Sequence, residues 1–214
     1  MNLNKYKSIV FDCDGVVLNS NQVKTRAFYN AALSYGEGFA SNLRDFHIQN
    51  GGISRYKKFR YFLTDIIGKK TNEEELNHLL SIFSIEVKKG LMDCEITKNL
   101  ELLRKKTHKS KWLIVSGGDQ EELREVFEAR GIFKYFDGGI FGSPSCKDEI
   151  LFSEIHNGNL VFPAIFIGDS KYDYAASVKA ELDFVFLSGW SEVSDWQSWT
   201  SKERIKTVKM LDEL

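Results

Sequence analysis

Asp12 and Asp14 stand two residues apart, directly after the apolar run Ser8–Phe11. Further along come Ser116-Gly117-Gly118-Asp119 after a second apolar run, Ser143 to Lys147 after a weaker one, and Gly168-Asp169-Ser170 with Asp173 after another. If these stretches meet, one crevice holds several carboxylates, a hydroxyl and a lysine. Clustered carboxylates repel one another unless a cation joins them, and hard oxygen ligands with room for water suit Mg²⁺. A metal and a lysine together offset the charge of a phosphoryl group, and Ser116 with adjacent backbone N–H groups can donate to its oxygens. A carboxylate can then attack phosphorus to give an aspartyl-phosphate. A second carboxyl two residues along can protonate the leaving oxygen and later activate water. Singly, each residue has a plainer reading: a solvated Asp-x-Asp pair, a loop hydroxyl, a surface lysine, a helix N-cap at Asp169. Their order at successive strand ends favours the joint reading.

The elements that must position these residues follow from the apolar pattern. Ser8–Phe11, Trp112–Val115, Ala164–Ile167 and Asp183–Leu187 are short continuous runs rich in Ile, Val and Phe, the signature of strands buried on both faces of a parallel sheet. Gly139–Phe141 is a weaker fifth. Helical patterns lie between them: Gln120–Ala129 follows Asp119, a good N-cap, and stops before Gly131, and Tyr172–Lys179 follows a polar turn. This alternation predicts an α/β fold, a doubly wound parallel sheet, whose chemistry collects beyond the carboxyl ends of the strands. From about Asn19 to Leu91 the pattern changes. Val23–Leu33 and Glu73–Lys88 have helical periodicity, Gly51-Gly52 marks a turn, and no strand is evident. The expected organisation is an α/β core of residues 1–18 and 92–214, with a helical insert at 19–91.

Composition bounds the alternatives. The chain has 214 residues with a formal net charge of -1, so nothing in bulk draws it to nucleic acid or to an anionic membrane. The three cysteines, Cys13, Cys94 and Cys146, match no zinc spacing and no disulfide framework, which fits a reducing cytoplasm. The apolar run at Ile9–Phe11 is far too short to span a bilayer. No repeat or linker-like segment is present, and nothing fixes the oligomeric state.

At these residues the sequence resembles the haloacid dehalogenase-like (HAD) hydrolase superfamily. Phe11-Asp12-Cys13-Asp14-Gly15-Val16-Val17 matches its first motif, Val115-Ser116-Gly117-Gly118 the second, Lys147 the third, and Gly168-Asp169-Ser170-Lys171-Tyr172-Asp173 the fourth. Ala129-Arg130-Gly131-Ile132, Tyr135-Phe136-Asp137 and Gly142-Ser143-Pro144 look like its phosphoglycolate-phosphatase branch. The resemblance implies a Rossmann-like core and a phosphatase that takes a small phosphorylated metabolite. Asp12 would be nucleophile. Asp14 would be general acid and base and give its backbone carbonyl to Mg²⁺. Asp169 would be a direct Mg²⁺ ligand, and Asp173 would support the metal or orient Lys147. Ser116, Gly117 and Lys147 would hold the phosphoryl group. Dehalogenases of the superfamily lack the second aspartate, so Asp14 favours phosphoryl transfer. Two departures stand out: Asn19-Ser20 where the family has Asp-Ser, and Ala180-Glu181-Leu182 in place of an Ala-Gly turn.

The same resemblance makes residues 19–91 a cap that closes over the site and reads the leaving group. Within it, Gly52, Ser54 and Arg55 are the expected substrate contacts: a Gly-Gly turn entering a helix, with a guanidinium that can bind a carboxylate or a second phosphate. Gly-x-Ser-Arg here also resembles the cap loop of β-phosphoglucomutases. A phosphomutase, and a binding module without catalysis, therefore stand as alternatives. His47, His78, His108 and His156 match no ligand spacing, Cys13 is expected to be buried and idle, and Trp190, Trp196 and Trp199 are expected to pack on the core or a partner.

Overall fold

The structure, a computed structural model, describes residues 1–70 and 72–214. Its centre is a parallel sheet of six strands: β1 (Ser8–Phe11), β2 (Lys111–Asp119), β3 (Ile140–Ser143), β4 (Ala164–Gly168), β5 (Asp183–Leu187) and β6 (Lys206–Val208). Their spatial order is β3-β2-β1-β4-β5-β6, and every pairing is parallel. The connection therefore reverses direction beside β1, the switch point at which open α/β sheets leave a crevice. Period-two alternation sends Ile9 and Phe11 to one face and Val10 to the other, and each face has its own apolar cluster.

Four helices follow β1: α1 (Asn21–Ala32), α2 (Glu37–Gln49), α3 (Arg55–Tyr61) and α4 (Glu73–Asp93). Helix α4 starts where the Asn72 side chain accepts the Glu74 N–H at 3.0 Å, and Glu73, Glu74 and Glu75 fill its first turn, where the helix dipole favours acids. Phe28, Phe59 and Phe83 pack at the centre of this helical group, with ring centroids 4.3 Å apart for Phe28–Phe83 and 5.2 Å for Phe28–Phe59. Their apolar cluster is continuous with that of the sheet, from Phe59 and Leu43 through Leu18 to Phe11 and Trp112.

The rest of the chain supplies α5 (Leu100–Lys106), α6 (Gln120–Ala129), α7 (Lys147–His156), α8 (Lys171–Lys179) and α9 (Trp196–Lys202) around the sheet. Helix α6 is capped as expected, with the Asp119 carboxylate accepting the Glu122 N–H at 3.1 Å. Two differences from the sequence reading have clear causes. Strand β2 runs on through Ser116-Gly117-Gly118 to Asp119, four residues past its apolar run, because β3 continues to pair with it beyond a bulge. Strand β6, Lys-Thr-Val, carries too little apolar character to be read from sequence and pairs only with the edge of β5. Trp199 meets Phe186 and Tyr174 edge-on, at 5.4 and 5.7 Å, and so packs on the core.

Candidate active site

Strands β1, β2 and β4 deliver Asp12, Ser116 and Asp169 to the carboxyl edge of the sheet, and Lys147 opens α7 behind them. Asp12 is buried. Its Oδ1 accepts the Cys13 N–H at 2.7 Å and lies 2.9 Å from Lys147 Nζ. Lys147 is fully buried and also bonds Asp173 Oδ1. The other Asp173 oxygen accepts from the Asp169 N–H at 3.2 Å, the Ser170 N–H at 3.0 Å and the Ser170 hydroxyl at 2.7 Å. Both Asp173 oxygens are thus engaged, which suits a residue that orients Lys147 and the turn before α8. Ser116 is buried, and its Oγ accepts the Gly118 N–H at 3.0 Å.

One carboxylate oxygen from each of Asp12, Asp169 and Asp173 falls within 4.8 Å of the others. Among the described residues Lys147 is the sole cation bonded to this buried group, so negative charge is in excess. The result is visible in the acids: burial, opposed by Lys147, pushes the Asp12 carboxyl up to about 7, and burial together with Asp12 and Asp173 holds Asp169 well above the ordinary carboxylate range. Excess buried carboxylate with only oxygen donors is a set that fits a hard divalent cation. Asp12 and Asp169 have the free coordinating capacity. Asn21 steadies Asp169 by donating to its Oδ2 at 2.7 Å. Gly15, at φ +72°, is required beside them, since a Cβ there would lie 2.0 Å from Asp169 Oδ2.

Asp14 faces the helical layer. Lys24 of α1 pairs with its Oδ2, and the Ser20 hydroxyl donates to its Oδ1 at 2.6 Å. Burial pushes this carboxyl up, but Lys24 and Ser20 outweigh it and hold it below its ordinary value. Burial pushes the Cys13 thiol well up, so it is inert as a nucleophile.

The helical layer is closed on the sheet edge. The Gly52 carbonyl lies 2.2 Å from where a Cβ on Gly117 would sit, an approach that only glycine at 117 permits. Between the two layers remains a cavity of about 50 Å³, lined by Asp12, Asp14, Asp169, Lys24, His47 and Lys58 among others. Gly52, Arg55 and Gly117 also line it. The expectation that Arg55 is free to bind an anion needs correction. Its guanidinium forks onto Glu122 of α6 at 2.5 and 3.0 Å and bonds Ser84 at 2.8 Å, because a buried cation takes the nearest acid. Ser54 precedes α3 without a side-chain cap bond, and α3 is too short to offer a strong N-terminal anion site.

Lys24, His47 and Lys58 escaped the motif reading. A signal was nevertheless present. Arg55, Lys58, Phe59 and Phe62 form one buried helical face at i, i+3, i+4 and i+7, as do Lys24, Ala27, Phe28 and Ala31. A charged residue in the apolar phase of a helix is a candidate for function.

Comparison with known proteins shows a family and a fold. The model of a haloacid dehalogenase-like hydrolase family matches residues 6–180. Among solved structures, a predicted phosphatase from Clostridium acetobutylicum is 19% identical, with TM-score 0.74, covering 97% of this chain and 95% of that one. The β-phosphoglucomutase of Clostridium difficile is 21% identical with TM-score 0.72, covering 97% and 92%. A predicted phosphoglycolate phosphatase from Haemophilus somnus is 18% identical with TM-score 0.65, covering 87% of each chain. At these identities the likeness is one of fold. No curated protein matches the sequence.

Proposed function

The chain belongs to the haloacid dehalogenase-like hydrolase family, and we propose that it is a Mg²⁺-dependent phosphatase of a small phosphorylated metabolite, with Asp12 as nucleophile. One observation carries this reading: a buried Asp12 carboxylate held against Lys147, with Asp169 and Asp173 alongside, at the carboxyl edge of the sheet and under a helical layer. Residues 1–18 and 92–214 are the catalytic core and 19–91 the cap.

In the proposed reaction an Asp12 oxygen attacks phosphorus while the P–O bond to the alcohol breaks, and the alcohol oxygen takes a proton from Asp14. Water then attacks phosphorus and gives a proton to Asp14, which frees Asp12 and inorganic phosphate. Lys24 keeps Asp14 ionised, the state the second step needs. For the first step Asp14 must take up a proton, an uptake that the Lys24 pair opposes. Lys147 and Ser116 hold the phosphoryl oxygens. Asp12, Asp169 and the Asp14 carbonyl would hold the metal, which would supply positive charge to offset that of the phosphoryl group. Closure of the cap keeps bulk water from the acyl phosphate. Three free cysteines fit a cytoplasmic setting.

The test is phosphate release from a panel of phosphorylated metabolites, with and without chelator, and with Asp12→Asn as control. Release that needs Mg²⁺ and is absent in Asp12→Asn is expected. Full activity in chelator would remove the metal from the reaction. Isomerisation of a sugar phosphate with a bisphosphate primer, without phosphate release, would make the chain a mutase instead.

A further inference from the structure

Each cation lining the cavity has an acid partner except one. Lys24 pairs with Asp14, and Arg55 with Glu122. Lys58 is 1% exposed, and its Nζ meets only His47, at 2.6 Å from Nδ1 and 3.5 Å from the carbonyl oxygen. No carboxylate lies within ion-pair reach of it among the described residues. An uncompensated buried ammonium is expensive, and burial, with Lys24 adding to it, pushes Lys58 down to about 7. Asp14 and Glu192 act on it from a distance, and the Glu192 carboxylate is bonded by the Thr25 hydroxyl at 2.9 and 3.1 Å.

His47 extends the same wall. When charged Lys58 donates to Nδ1, the ring proton must sit on Nε2. Nε2 is buried and has no partner among the described residues. Phe28 backs both groups, its ring centroid 4.5 Å from that of His47 and 5.3 Å from Lys58 Nζ, so one side of the wall is apolar. Asp12 and Asp169 also line the cavity, so a second anion is favoured at the His47–Lys58 wall and not beside them.

We infer that His47 and Lys58 form an anion subsite in the cap that recognises a carboxylate or second phosphate on the alcohol half of the substrate. The inference rests on the phosphatase reading and narrows it to small phosphomonoesters with a second negative group.

Three esters that share a two-carbon alcohol half separate the possibilities: ethyl phosphate, phosphoglycolate and ethylene glycol bisphosphate. The native protein is expected to show kcat/KM about tenfold or more higher on one of the two charged esters than on ethyl phosphate, as one charge-assisted hydrogen bond implies. Which charged ester it prefers distinguishes carboxylate from phosphate. Lys58→Met should erase the preference and Lys58→Arg should restore part of it. A native protein without preference, or equal losses on all three esters in Lys58→Met, overturns the subsite.

A second measurement needs no turnover. Titration calorimetry of Asp12→Asn with the same esters and Mg²⁺ should show tighter binding of the preferred charged ester, lost when Lys58→Met is added. Binding should also carry net proton uptake, seen as a dependence of heat on buffer, that disappears with Lys58→Met. Selective binding without hydrolysis of any ester would leave the subsite standing and refute the phosphatase. Hydrolysis of all three without selective binding would do the reverse.

Discussion

Lys58 and Asp12 are both held near neutrality by burial, and they respond to pH in opposite directions. The Lys58 value in the folded chain, about 7, lies below its ordinary 10.5. The unfolded chain therefore binds more protons between these limits, so the cost of Lys58 is largest below about pH 7 and falls as pH rises toward 10. Lys58→Met removes that cost. Its stability advantage over the native protein should shrink by a few kcal/mol between pH 6 and pH 10, at about 1.4 kcal/mol per pKa unit, as denaturant midpoints at the two pH values will record. An advantage that does not change with pH would mean that Lys58 is not desolvated. Asp12→Asn tests the opposite member. It should abolish turnover while leaving the unfolding midpoint at pH 8 unchanged or raised, because one buried negative charge leaves an over-acidic cluster. Appreciable residual turnover would argue against Asp12 as nucleophile.

Between elements, the closed arrangement hangs on a few contacts from cap to core. Arg55 of α3 meets Glu122 of α6 in a buried fork, Tyr56 donates to Asp119 at 2.8 Å, and Lys88 of α4 reaches Glu125 at 2.5 Å on the surface. Removing one member of the buried pair strands the other, which typically costs about 3–5 kcal/mol. Glu122→Ala should therefore lower stability by that order, whereas Arg55→Leu with Glu122→Leu should be near neutral, and Lys88→Ala should change it by less than about 1 kcal/mol. Small-angle scattering should show a larger radius for Glu122→Ala if the pair also holds the cap shut. These contacts explain where sequence reading stopped. Strand ends at Asp12, Ser116 and Asp169 can be read from local patterns, since an apolar run that breaks at an acid marks its own boundary. Glu122 looks like any first-turn helix acid, Arg55 like a free guanidinium, and Lys58 like half of a solvated Lys57-Lys58 pair. Their roles depend on which helix faces which, and that is decided by packing of residues far apart in the chain. Strand β6 is of the same kind: its pairing, not its composition, makes it a strand.

For the molecule as a whole, a divalent cation should act as a fastener of the fold as well as of the reaction. Binding only the folded state, it stabilises by about 2.7 kcal/mol at a hundred times its Kd. Thermal unfolding with Mg²⁺ should thus show a higher Tm than with chelator, and Asp169→Asn should remove most of the difference. An unchanged Tm across Mg²⁺ concentrations would refute a metal site built from Asp12 and Asp169. The same effect ties together parts of the chain that are far apart in sequence, because the cluster spans β1, β4 and the start of α8.

The placement of β1 at the middle of the sheet also has a consequence for how the protein is made. Its neighbours are β2 on one side and β4 on the other, so β1 must wait about 100 residues of synthesis for its first partner. At translation speeds of roughly 5–20 residues per second that is about 5–20 seconds with Ile-Val-Phe unpaired. The α1–α4 segment makes up most of the chain born in that interval, and Leu18 and Phe28 share an apolar cluster with Ile9 and Phe11. During synthesis the insert is thus in place to chaperone the strand in cis, long before there is any ester for it to close upon.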